Sequence, residues 1–85
     1  MSANSRLGRR EVSTMTFVRA DDWEGIYING KLVEETHSIE NIAAVNIAIR
    51  HKVTTVETKW CDLDWIHDEG NLPQKLEDVK LEVNR

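Results

Sequence analysis

Apolar positions are dense through Thr14–Ala20, and the period of two of an extended chain places Thr14, Thr16, Val18 and Ala20 on one side and Met15, Phe17 and Arg19 on the other. In a run rich in β-branched and aromatic residues this reads as a strand, and Asp21-Asp22 breaks it as a turn. Trp23–Ile28 begins a second strand. Asn29-Gly30 follows, the strongest local signal in the chain: a two-residue type I′ turn needs positive φ at both central positions, and Asn followed by Gly meets that need at least steric cost. A third strand, Lys31–Thr36, is then expected directly. Counting outward from the turn sets Ile28 against Lys31, Tyr27 against Leu32, Ile26 against Val33, Gly25 against Glu34 and Glu24 against Glu35. Apolar side chains fall on both faces of this hairpin, and the Glu24 and Glu35 pair is an unfavourable like-charge juxtaposition.

The period changes after Thr36. Ser38 offers an N-cap, and the stretch from Ile39 runs on without Gly or Pro to His51 and Lys52, where cations favour a helix C-terminus. Residues 39–51 are predicted helical. The alternation of Val45, Ile47 and Ile49 gives a rival strand reading, which the length and the alanines oppose. On a helical wheel Ile42, Val45 and Ile49 form one stripe with Ile39 beside it, and Ile47 with Ala43 carries the apolar arc well round the cylinder. That is wider than one sheet contact requires. Such a helix is either sandwiched within the monomer or shared between subunits, and a chain this short has little with which to cover a second face.

Val53–Trp60 reads as a fourth strand. Asp62 caps a short helix through Glu69 that Gly70 ends, and Pro73 starts one further turn with Leu72, Leu76 and Val79 inward. Val79, Leu81 and Val83 alternate and could add a terminal edge strand. Gly25, within a strand, marks a bulge or a close backbone approach. The expected fold is α+β: an antiparallel sheet in the order β-β-β-α-β-α, packed by one face on the main helix. Residues 1–13 lack enough apolar positions to dock on a core and are expected to form a flexible basic tail, with a single compact domain over residues 14–85.

Charge narrows the partners. The chain carries a net charge of −4 over 85 residues, with 31 % of its residues charged. Residues 1–20 hold four arginines against one acid, whereas the remainder holds seven bases against fourteen acids. An acidic body argues against duplex nucleic acid, whose phosphates need clustered cations, although Arg6, Arg9 and Arg10 leave a narrow route open. The longest uncharged stretch, Asn41–Ile49, is nine residues, far short of the roughly 20 needed to cross a bilayer. With no apolar signal core at the N-terminus, the cytoplasm is the expected compartment. The single cysteine, Cys61, excludes an internal disulfide framework and a multi-cysteine zinc cluster.

Candidate chemistry concentrates in CDLDWIHDEG, residues 61–70. Asp64 with His67 or Asp68 lies at helical i, i+3 or i, i+4 spacing, so two ligands or an acid–base pair could share a face. The calcium-loop pattern fails at Ile66, and no HExxH or cysteine pair is present. Cys61 with His37, His51 or His67 could formally be a nucleophile and base, but no local signature surrounds the cysteine, and a buried apolar role fits it better. His37 reads as a junction residue and His51 as the helix end. Trp23, Trp60 and Trp65 are many for so small a core: Trp60 is expected under the helix, Trp23 at the hairpin edge, and Trp65 among Asp62, Asp64, Asp68 and Glu69 as an exposed anchor for a protein partner. Trp23, Tyr27, Asp62, Asp64, Trp65 and Asp68 are therefore the candidate binding residues. No cofactor is implied. The pattern favours a small non-catalytic interaction or regulatory module, homodimeric, with an unidentified protein partner. The alternative is a small metal-assisted enzyme built on Asp62–Glu69.

Overall fold

The computed structural model describes residues 12–82. Three strands, β1 (Thr14–Arg19), β2 (Glu24–Ile28) and β3 (Lys31–Thr36), form an antiparallel meander, followed by helix α1 (Asn41–Arg50), strand β4 (Thr55–Trp60), helix α2 (Leu63–Glu69) and a 3₁₀ turn at Leu76–Asp78. The architecture is α+β. Most of the expected tail, residues 1–11, lies outside the described residues. Ser13, assigned to that tail, belongs to the fold: its carbonyl accepts from the Thr54 and Thr55 N–H groups, and its hydroxyl donates to the His51 carbonyl at 3.1 Å.

The sheet order is β3-β2-β1-β4, and β4 pairs with β1 in parallel, with Met15 beside Val56 and Arg19 beside Trp60. The sheet is thus mixed and not wholly antiparallel. The reason is the helical crossover, which returns the chain to the end of the sheet where β3 began, so the strand after α1 runs in the direction of β3 and of β1.

The hairpin turn is as the sequence predicts. Asn29 and Gly30 both take positive φ, 50° and 86°. Asn29 also fixes the start of β1, its Oδ1 accepting from the Thr14 N–H at 2.9 Å while its own N–H donates to the Thr14 carbonyl. Pairing follows the counted register for Ile28–Lys31 and Tyr27–Leu32, then shifts by one at a bulge, so that Ile26 faces Glu34, Gly25 faces Glu35 and Glu24 faces Thr36. The shift removes the like-charge pair. Each carboxylate instead finds donors: Glu35 Oε1 accepts from Trp23 Nε1–H at 2.9 Å and from the Leu72 N–H at 3.0 Å, and Glu24 Oε1 accepts from the Ile39 N–H at 2.8 Å. Glu24 Oε2 lies 3.5 Å from Arg19 Nε.

Helix α1 starts at Asn41 because Glu40 holds an extended backbone, φ −69° and ψ 148°. Ile39, before it, is buried among Met15, Ile26, Ile28 and Ile47, with its N–H held by Glu24. Glu40 is the N-cap position, with no side-chain cap, so Ser38 does not cap α1. The helix lays Ile47, Ala43, Ala44 and Ala48 on the sheet face that carries Met15, Phe17, Ile26 and Ile28.

The opposite face is covered by the chain itself. Val18, Ala20 and Tyr27 pack with Cys61, Ile66, Leu72 and Val79 in a second core, fringed by Trp23, Leu32, Leu63, Trp65, Leu76 and Leu81. The segment after α2 straps this face from edge to edge. At the β3 edge the Leu32 N–H donates to the Gln74 carbonyl and the Leu76 N–H to the Gly30 carbonyl; at the β4 edge Cys61 bridges Leu81, and the Glu82 N–H donates to the Trp60 carbonyl. Of the expected terminal strand the described residues hold only this isolated bridge at Leu81, and Val83 lies outside them. Gly25 sits directly beneath the strap. A Cβ there would overlap the Leu72 side chain, which is the close approach that its position in a strand signals.

Candidate interaction surface

On folding, Tyr27, Trp23 and Trp65 come together in and around the second core, while Asp64 and Asp68 stay exposed on α2. Tyr27 has no exposed surface, and its hydroxyl donates to the Pro73 carbonyl at 2.6 Å, which ties β2 to the strap. Burial pushes its phenol well above the ordinary tyrosine range, with the Glu35 carboxylate adding to the effect. It is a core residue, closed to a partner in the folded chain. Trp23 is half-buried, its indole N–H held by Glu35 and its ring meeting His37 edge to face at 5.1 Å and 86°. His37 Nδ1 lies 3.2 Å from the Asp22 carbonyl, the junction role its position suggests.

Asp62 caps α2 as expected, Oδ1 accepting from the Trp65 N–H at 3.0 Å, and Gly70 ends that helix at φ 85°. Its other oxygen stands 4.0 Å from Lys80 Nζ. Asp64 and Asp68 are exposed. Trp65 is not an exposed anchor: it is half-buried and packs against the second core. Trp60 lies on the outer strand β4, not under α1, with the Arg19 guanidinium 5.0 Å above its ring. Among the described residues no three His, Cys, Asp or Glu side chains converge as a metal-binding set.

Cys61 is 1 % exposed in the core. Burial pushes its thiol above the ordinary cysteine range, with Asp62 and then Glu82 adding to the effect, so the thiolate that a nucleophile requires is disfavoured.

The surface that stands out is on α1. Its outward side presents Asn41, Ile42, Val45, Asn46, Ile49 and Arg50, all exposed, and Arg50 is the one charge among them. Ile42 is 63 % exposed, Val45 50 % and Ile49 69 %. On the same side of the sheet Val56, in register with Met15, is 59 % exposed. A stripe of β-branched side chains flanked by amides, on a chain otherwise dense in charge, has the composition of an interface centre, where charge is depleted. The sequence signal for it was the over-wide apolar arc. What the arc alone did not show is which part faces the sheet: the alanines do, with Ile47, because their small side chains let the helix backbone approach.

No helix among the described residues is long and apolar enough to cross a membrane. No family model, curated protein or solved structure matches this chain, so the reading of its function rests on this geometry.

Proposed function

We propose that the chain is a non-catalytic protein-interaction or regulatory module that self-associates, and that it does so through the outward face of α1. The observation that carries the reading is the Ile42, Val45 and Ile49 stripe, which the described residues leave exposed after packing both faces of the sheet. Apolar surface of this kind gains free energy when a partner removes it from water. The candidate nucleophile and the acidic helix offer less: Cys61 is sealed in the core, and Asp62 is occupied as a cap. A cytoplasmic setting belongs to the same reading, supported by a stability that owes nothing to disulfides.

Sedimentation equilibrium over a wide concentration range tests the proposal. The expected result is a reversible rise in mass toward the dimer that Ile49→Gln abolishes. A strict monomer at every concentration would remove the self-association.

A further inference from the structure

Resting on that reading, we infer that the occupant of the α1 face is a second copy of the same chain, packed helix on helix in antiparallel fashion about a two-fold axis near Val45. The stripe is symmetric about its own middle. An antiparallel two-fold passing between Val45 and Asn46 sets Ile42 of one copy opposite Ile49 of the other and brings the two Val45 side chains together, offset along the axis by only about 1.5 Å, so that the smallest of the three falls at the crossing, where the helices come closest. On the adjoining flank Asn46 meets the second copy's Asn46, and two amides can donate and accept reciprocally.

Charge selects the same arrangement. Arg50 is the one charge on this face and lies at its C-terminal end. Antiparallel packing places the two Arg50 side chains at opposite ends of the contact and opposes the two helix dipoles, whereas parallel packing would bring the arginines together and align the dipoles. The rest of the body, with seven bases against fourteen acids from residue 21 onward, repels a second copy, so this nearly uncharged face is where two such bodies approach at least cost. A ten-residue helix is only about 15 Å long. A contact built on it falls below the roughly 1,200 Å² of a standard interface, and the dimer is accordingly concentration-dependent.

Site-directed cross-linking of the full chain separates the arrangement from self-association as such. Val45→Cys, Ile42→Cys and Ile49→Cys are each treated with a short bis-maleimide, alone and as an Ile42→Cys with Ile49→Cys mixture, with the unsubstituted chain and its buried Cys61 as the control. The expected result is a covalent dimer for Val45→Cys and for the mixture, with at least about a tenfold lower yield for Ile42→Cys or Ile49→Cys alone. Strong cross-linking of Ile42→Cys to itself would show parallel packing and overturn the inference. So would an inert Val45→Cys in a chain that still sediments as a dimer, and in both cases self-association would stand. A chain that neither cross-links nor sediments above monomer mass overturns both.

Discussion

Gly25→Ala tests the strap across the second sheet face, because the two possible environments of Gly25 predict opposite signs. Its backbone is ordinary strand, so in open space an added methyl would stabilise by about 0.4–1 kcal/mol through the lower entropy of the unfolded chain. Beneath the strap the new Cβ would overlap the Leu72 side chain and come within 3.4 Å of the Glu34 carbonyl and of Leu32 Cδ1. Leu72 is 4 % exposed and cannot simply swing into solvent. Overpacking of this kind costs about 1–3 kcal/mol, which leaves a net loss of about 0.5–2 kcal/mol after the entropy gain. Leu72→Ala alone should cost about 2–5 kcal/mol, since it opens a cavity between the strap and β2. In the double variant the methyl at 25 occupies part of that cavity, so the combined loss should fall short of the sum by about 1 kcal/mol or more. Urea denaturation of the four proteins, fitted with a common slope, gives the cycle. A Gly25→Ala variant more stable than the parent, or a cycle that is additive within about 0.3 kcal/mol, would show that Leu72 does not lie over Gly25.

Other outcomes follow from local geometry. Lys52 holds a left-handed backbone, φ 53°, immediately after the C-cap of α1, a position that glycine occupies without a Cβ penalty; Lys52→Gly should raise stability by about 0.5–1 kcal/mol in thermal or urea unfolding. Asp62→Ala removes the α2 cap and should cost about 1 kcal/mol by the same assays. The Cys61 and Tyr27 protons are held more tightly in the folded chain than in the unfolded one, because both folded values are raised. Their contribution is therefore fully present below the unfolded values, about 8.5 and 10, and is lost as pH rises through the folded ones. Stability should decline from about pH 8.5 upward, and Cys61→Ala should flatten the first part of that decline, as measured by urea midpoints across pH.

Features set by a few adjacent residues were legible in the sequence. The Asn29-Gly30 turn, the Asp62 cap, the Gly70 stop and the four strands all arise from local backbone preferences, and all are present. What the sequence obscured depends on residues far apart in the chain. The bulge in the middle of the hairpin turns Glu35 to the face where it satisfies Trp23 and the strap at Leu72, and counting from the turn cannot foresee a partner 37 residues away. Helix α1 begins two residues later than its pattern predicts for a similar reason, since Ile39 is anchored in the core with Met15, Ile26 and Ile28 and Glu40 stays extended. Candidate site residues suffered most. Chemistry alone marks Tyr27 and Trp65 as candidates, but aromatic area in so small a domain is needed inside, and the strap supplies the second face that buries it.

The same competition for core volume makes the α1 stripe informative. Ile47, 7 % exposed, is the only large aliphatic side chain that α1 commits to the sheet; Ile42, Val45 and Ile49 remain outside. Each of these three is half to two-thirds exposed, and burying what remains should yield about 1–2 kcal/mol, or on the order of 6–12 kcal/mol gross for the six side chains of a two-fold contact. Association itself costs an estimated 4–15 kcal/mol, so the net is a weak dimer at best. Ile42→Gln with Ile49→Gln should therefore leave the monomer's unfolding free energy within about 0.5 kcal/mol of the parent at low concentration, as exposed substitutions do. Ile47→Gln, by contrast, should cost several kcal/mol by burying an amide without partners. The parent's melting temperature should climb with protein concentration, because a partner that binds only the folded state stabilises it, and the double variant's should not. A double variant that unfolds as readily as Ile47→Gln would show that the stripe is part of the monomer's core. A parent whose melting temperature ignores concentration would show that the exposed isoleucines meet no second copy.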